Sequence, residues 1–315
     1  MKAWIADDYG PPSRLRFGEI ETPRVSQGSV LVRMRAAAIN PFDVKIITGA
    51  VKDFMPLKPP YVPGMDGSGV IDSVGAGVTE YAPGDAVLGF FTAGGTLGEF
   101  AIISPGANGL ARKPDALDFA HAAAIPETGL TAMTILRAFE LREGQRLLII
   151  GATGGIGLFL TQLARLRGAH VVATARAEDR EYIRSLGADD DVDYAAGDVV
   201  TQVRKRYPDG VDAVVDVINS GEALLATAGA LKAGGTLVSS LYGPDQSAYP
   251  NGVSVHYIQD SPQPGDLAEL ARLASTGKLR VEIGKTYPIV EAPKALSDLT
   301  DPTKHTRGKL VVTTS

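Results

Sequence analysis

The residues with the plainest chemical meaning lie between 147 and 164. An apolar run, Leu147-Leu148-Ile149-Ile150, meets a glycine turn, Gly151-Ala152-Thr153-Gly154-Gly155-Ile156-Gly157. A helical pattern follows, Leu158-Phe159-Leu160-Thr161-Gln162-Leu163-Ala164. Strand, glycine turn and helix in that order form a cradle for a diphosphate, because glycines let the backbone approach the anion and the helix N-terminus favours its charge. The turn departs from a strict G-x-G-x-x-G: Ala152 holds the first position, ahead of Gly154 and Gly157.

A second apolar stretch, Val171-Val172-Ala173-Thr174-Ala175-Arg176, follows at the distance a dinucleotide fold requires. A site selective for NAD carries a carboxylate near the end of this strand, for the ribose hydroxyls. Here the strand ends in small residues and a cation. Arg176, with Arg180 as a further candidate, suits a 2′-phosphate that an acid would repel. The pattern points to NADPH, while Glu178 and Asp179 nearby leave NAD open.

Elements of two textures must position these groups. The first part of the chain reads as short strands with turns: Ser29 to Arg35 alternates, and Gly69 to Gly75 and Ala86 to Phe90 are apolar runs punctuated by Gly and Pro. Near Asp118 the texture changes to Ala-rich helical runs between continuous apolar strands, Leu147 to Ile150, Val171 to Thr174, Ala213 to Asp216 and Thr236 to Ser239. Such alternation indicates a parallel sheet covered on both faces. After a helical run from Leu267 to Ser275 a β-type tail ends in Lys309-Leu310-Val311-Val312, so the α/β part reads as an insertion in the first domain.

Composition narrows the function classes. The chain has 315 residues, enough for two cores, with 44% hydrophobic and 21% charged residues and a formal net charge of -5. No block of Lys and Arg is dense enough to follow a nucleic-acid backbone. No apolar stretch approaches a bilayer span and none at the start resembles a leader, so the expectation is a soluble cytoplasmic enzyme acting on small molecules. The absence of cysteine removes disulfides, thiolate nucleophiles and Cys-based zinc sites together.

With the glycine turn placed, further landmarks carry a resemblance. They are Ala37-Ala38-Ile39-Asn40-Pro41-Phe42-Asp43, Val62-Pro63-Gly64-Met65-Asp66-Gly67-Ser68-Gly69, Gly84-Asp85-Ala86-Val87, Gly98-Glu99-Phe100-Ala101, Gly129-Leu130-Thr131-Ala132, Leu186-Gly187-Ala188-Asp189 and Arg307-Gly308-Lys309. Jointly and in this order, over essentially the whole chain, they resemble the medium-chain dehydrogenase/reductase superfamily in its zinc-independent quinone oxidoreductase (zeta-crystallin-like) branch. The resemblance implies an α/β architecture: a GroES-like β domain, 1–117 and 268–315, split around a Rossmann domain, 118–267, with a doubly wound parallel sheet.

The same resemblance implies what is missing and what replaces it. Zinc-dependent relatives carry Cys where this chain has Asn40, a His-Glu pair where it has Met65-Asp66, and commonly Cys where it has Glu127. Asn40, Met65 and Glu127 do not make a tetrahedral zinc set. Without a Lewis acid, hydride addition to an electron-poor acceptor remains: a quinone, or an enone or enal whose oxygen takes up charge and needs hydrogen-bond donors. Four candidates for that chemistry follow. The Asn40 amide can donate, or can hold its turn with Pro41. Lys45 resembles the lysine of an Asn-Pro-x-Asp-x-Lys pattern in plant enone and alkenal reductases, and reads otherwise as a solvated helix lysine. Glu127 can pair with a cation, orient substrate or cap the following helix, and Tyr242 can line the nicotinamide side.

For the cofactor the resemblance carries over to Thr131 near the nicotinamide and to Thr153, Gly154, Gly155, Ile156 and Gly157 on the pyrophosphate. It also carries Thr174, Arg176 and Tyr194 around the 2′-phosphate, the segment Ser240, Leu241 to Gly243, and Lys309. Asp43, Asp66 and Glu99 match family positions but read as turn residues. Two other readings stay open, an enoyl-thioester reductase and a non-catalytic NADPH-binding regulatory protein. A homodimer pairing the strand-like Val253 to Ile258 is expected, since relatives of this branch commonly join sheet edges.

Overall fold

A computed structural model describes every residue except Asn108, Glu140, Asn251, Asp260, Pro302 and Ser315. The chain forms two compact units, Met1–Glu127 with Gln263–Ser315, and Thr128–Pro262.

In the second unit, six parallel strands lie in the spatial order Asp190–Asp193, His170–Ala175, Arg146–Ile150, Val211–Asp216, Leu231–Ser239, Ser254–Tyr257. By position in the chain this is the order 3-2-1-4-5-6, the doubly wound arrangement. Leu147, Leu148 and Ile149, with Val171, Val172 and Ala173, are wholly buried, which accounts for their unbroken apolar sequence. The order reverses between Arg146–Ile150 and Val211–Asp216, and the glycine turn leaves the sheet there, at the carboxyl end where such folds bind ligands. The helix Gly155–Leu166 buries Leu158, Phe159, Leu160, Leu163 and Ala164, and Gly168 in the left-handed region follows its end.

The first unit is built on a seven-stranded sheet in which the chain's last strand is internal. Lys309–Thr313 pairs antiparallel with Val30–Ile39, Leu310 facing Ile39. On its other side Val30–Ile39 pairs antiparallel with Asp66–Val74, Ala38 facing Asp66. Asn40, Asp66 and Lys309 therefore arrive at the same end of three neighbouring strands. A parallel partner, Ile283–Pro288, covers the far side of the last strand.

Both seams differ from the expected 117/118 and 267/268. The short helix Phe119–Ala123 packs on the strands Val30–Ile39 and Asp66–Val74, with Ala122 and Ala123 wholly buried, so this Ala-rich segment belongs to the first unit. The helix Asp266–Ser275 lies wholly in the first unit, against Leu110–Arg112. Among the described residues no helix is long and apolar enough to cross a membrane.

The glycine turn gives a direct test of the packing. A Cβ on Gly157 would stand 2.2 Å from the Gly151 carbonyl oxygen and 2.5 Å from Ala152 Cα, both rigid backbone. Gly157→Ala is expected to cost roughly 2 kcal/mol or more of unfolding free energy in urea titration. A variant as stable as the parent would show that the turn is looser than described.

Candidate active site

In the second unit the glycine turn lies between the strand Arg146–Ile150 and the helix Gly155–Leu166. Gly151 turns the chain in the left-handed region at φ 95°, and Gly154 caps the helix Gly155–Leu166. A Cβ on Gly154 would meet only the Gly151 carbonyl, at 3.5 Å, so the approach to the helix N-terminus is open. The first N–H groups of a helix have no partners inside it, and an anion there supplies them. Thr153 is buried beside them. Thr174 holds the turn: its buried hydroxyl accepts from Gly151 N–H at 3.1 Å and donates to the Ile149 carbonyl at 3.2 Å. Its side chain is thus engaged with the turn itself.

Arg176 follows the strand His170–Ala175 and meets Tyr194, its Nε donating to the phenol oxygen at 3.1 Å. Tyr194 is 41% exposed, and Arg176 also stands 3.8 Å from Glu178. The pair is a preset, accessible cation. Arg180, the further candidate, is directed elsewhere: with Arg184 it clamps the buried carboxylate of Asp191, each at 2.8 Å. Thr131 is buried in the helix Pro126–Arg137. Past the strand Leu231–Ser239, Leu241 N–H donates to Ser239 Oγ, next to the half-buried Ser240. Tyr242 is exposed and its hydroxyl accepts from Gln259.

One residue here escaped sequence reasoning. Asp216, wholly buried at the end of its strand, accepts from the N–H groups of Ile218 and Asn219 at 2.9 Å and from Asn219 Nδ2 at 2.8 Å. It fixes the loop across the topological switch from the glycine turn. A carboxylate closing the apolar run Ala213 to Asp216 was the available signal.

The first unit holds a buried polar network. Asn40 caps the helix Pro41–Thr48, which Gly49 ends in the left-handed region. The Asn40 backbone N–H donates to Asp43 Oδ2 at 2.8 Å, and its Nδ2 donates to Asp66 Oδ2 at 2.9 Å. Lys309 Nζ donates to Asn40 Oδ1 and lies 3.4 Å from Asp66 Oδ2, while Glu127 N–H donates to Asp66 Oδ1 at 2.8 Å. Asn40 is 2% exposed, Asp66 0% and Lys309 3%. Lys309, expected at the cofactor, is engaged with Asn40 and Asp66, and Asp66 is far more than a turn residue. Lys45 stands exposed on the same helix, and the Glu127 side chain is half-buried.

Burial raises the Asp66 carboxyl above the usual carboxylate range, against the pull of Lys309, Asn40 and the Glu127 N–H. Burial also pushes Asp43 up to about 7; the Asn40 N–H opposes this and the nearby Asp66 charge adds to it. Among the described residues Asp43 Oδ1 has no hydrogen-bond partner, which agrees with a carboxyl that is easier to keep protonated. A carboxyl with a raised native pKa stabilises the fold at low pH and loses that contribution as pH rises through the native value. Relative to the parent, Asp43→Asn should therefore gain thermal stability as pH rises from about 4 to about 7, and hold that gain above it. A stability difference that stays constant over this range would contradict the raised value.

Comparison with known proteins places this architecture. The family of the alcohol dehydrogenase GroES-like domain matches residues 26–114, and that of the zinc-binding dehydrogenase matches residues 186–312. The chain is 30% identical to the mitochondrial NAD(P)H oxidoreductase RTN4IP1 of Bos taurus, over 99% of this chain and 89% of that one. It is 33% identical to the chloroplastic NADPH-dependent alkenal/one oxidoreductase of Arabidopsis thaliana, over 99% and 79%. The solved quinone oxidoreductase from Coxiella burnetii superposes with a TM-score of 0.88 at 30% identity, covering 100% of this chain and 99% of that one. Whole-chain similarity at this level, with a GroES-like β unit split around a doubly wound parallel sheet, shows that the chain belongs to the medium-chain dehydrogenase/reductase superfamily, in its quinone oxidoreductase branch.

Proposed function

We propose that the chain is an NADPH-dependent reductase of quinones and α,β-unsaturated carbonyls that works without zinc. The observation that carries this reading is the ammonium of Lys309, bonded to Asn40 and beside Asp66. Those are two of the positions where the zinc-dependent relatives have metal-site residues. Both Asp66 oxygens already accept N–H donors, and Asn40 Oδ1 accepts from Lys309. A donor set saturated by N–H groups, with a cation as one member, does not fit a dication that needs three or four free N, S or O ligands. With no Lewis acid to activate an alcohol, the remaining reaction is hydride addition to an acceptor that is already electron-poor.

The residues present fit a dinucleotide. The backbone from Thr153 to Gly157 would hold the pyrophosphate, and Arg176 with Tyr194 the 2′-phosphate. When bound, NADPH supplies the hydride; one proton from solvent completes the reduction, giving NADP and the saturated carbonyl or hydroquinone. The second unit binds and orients the cofactor. In the first unit the Asn40 amide donates to the acceptor oxygen as charge collects there, and the exposed Lys45 ammonium adds electrostatic support. Thr131, Ser240, Leu241 and Tyr242 are proposed to border the nicotinamide, and Glu127 to orient the acceptor. The strand Ser254–Tyr257 ends the parallel sheet, and we assign it as the edge that pairs with a second copy.

The test is NADPH consumption against benzoquinone, a vinyl ketone and a crotonyl thioester. Turnover of the first two supports the reading, a strong preference for the thioester points to an enoyl-thioester reductase, and tight NADPH binding without turnover points to a regulatory protein. Arg176→Ala should weaken NADPH binding roughly tenfold and leave NADH nearly unchanged. Equal affinity of the parent for both cofactors would reject the NADPH assignment. Lys45→Ala should lower enone turnover more than it weakens NADPH binding, and unchanged steady-state kinetics would remove Lys45 from the mechanism.

A further inference from the structure

We propose that Lys309 and Asp66 are positioning residues that fix the orientation of the Asn40 amide, and that Lys309 also strengthens it as a hydrogen-bond donor to the acceptor's developing oxyanion. The inference rests on the role given to Asn40 above and names what sets that role.

The orientation follows from donor and acceptor chemistry. An ammonium only donates, so Lys309 fixes the oxygen end of Asn40. Both Asp66 oxygens face N–H donors, so its carboxylate accepts and fixes the nitrogen end at 2.9 Å. The flipped amide would set nitrogen against ammonium and oxygen against carboxylate, two repulsive contacts among buried groups.

The strengthening follows from polarisation. An ammonium at Oδ1 draws electron density through the conjugated amide and leaves the Nδ2 hydrogens more positive. One of the two hydrogens serves Asp66; the amide carries a second. That second hydrogen is the donor offered to an oxyanion. Lys309, at 3% exposure, acts through protein rather than water, where such a field keeps most of its strength.

Strand docking alone does not call for this arrangement. Val311 and Val312 of the same strand are wholly buried, and a well-packed apolar pair generally holds buried elements at least as well as an ion pair, which must first be desolvated. What the charged pair adds is an oriented, polarised amide.

The experiment compares kcat with a vinyl ketone and the NADPH dissociation constant for the parent, Lys309→Met, Asp66→Asn, the double variant and Lys309→Arg. Lys309→Met and Asp66→Asn are each expected to lower kcat about tenfold while NADPH affinity stays within about twofold. The double variant should lose no more than the worse single one, because both act through one amide. Lys309→Arg, which keeps charge and donors, should recover most of the turnover. Folded variants that retain the parent's kcat and lose only melting temperature would overturn the proposal, as would multiplicative losses in the double variant. A readout on the unaltered protein guards against variants that fail to fold. The Asn40 side-chain NH2, assigned by its loss in Asn40→Ala, should show two well-separated proton resonances protected from solvent exchange, and fast exchange would also overturn the proposal. A parent that reduces no acceptor contradicts the function proposed above. A parent that turns over with indifferent variants contradicts only this inference.

Discussion

The pairing of Lys309–Thr313 with Val30–Ile39 is the constraint on which the first unit depends. It makes the last strand internal to the sheet and delivers Lys309 to Asn40 and Asp66, residues 269 and 243 positions away. A buried ammonium is tolerated only with partners, and these two supply them. The network then fixes the N-cap of the helix Pro41–Thr48, and with it the surface on which Lys45 stands. Register, helix start and amide orientation are one arrangement.

The second unit solves a separate problem with different means. Its strands need no side-chain chemistry, only continuous apolar residues buried on both faces, and its glycine turn is shaped by backbone. Side chains enter where the backbone must be held: Thr174 against the glycine turn, Asp216 against the loop across the switch point. Arg176 and Tyr194 meet each other beyond the end of the strand His170–Ala175. One unit thus rests on backbone geometry at its glycine turn, and the other holds a buried charge against a neutral amide.

These differences decide what the sequence discloses. The parallel sheet was legible because burial on two faces leaves long apolar runs, and the glycine turn because its tight and open positions admit little else. Arg176 was legible as the cation closing its strand, whereas Tyr194 came through the resemblance alone, since nothing local marks the two as neighbours. The first seam lies beyond the expected 117/118 because Phe119–Ala123 has the Ala-rich texture of the second unit while packing on the first. The partnership of Asn40, Asp66 and Lys309 depends on antiparallel register over most of the chain, which periodicity does not encode. Asp66 accordingly looked like a turn residue, and Lys309 like a cofactor ligand.

The central claim is that a protein-held ammonium and amide stand where zinc-dependent relatives carry their metal site. The most direct measurement is the rate of NADPH oxidation with a vinyl ketone, before and after exhaustive chelation, with and without added zinc. The account predicts one rate under all of these conditions. Loss of turnover on chelation, restored by zinc, would contradict it.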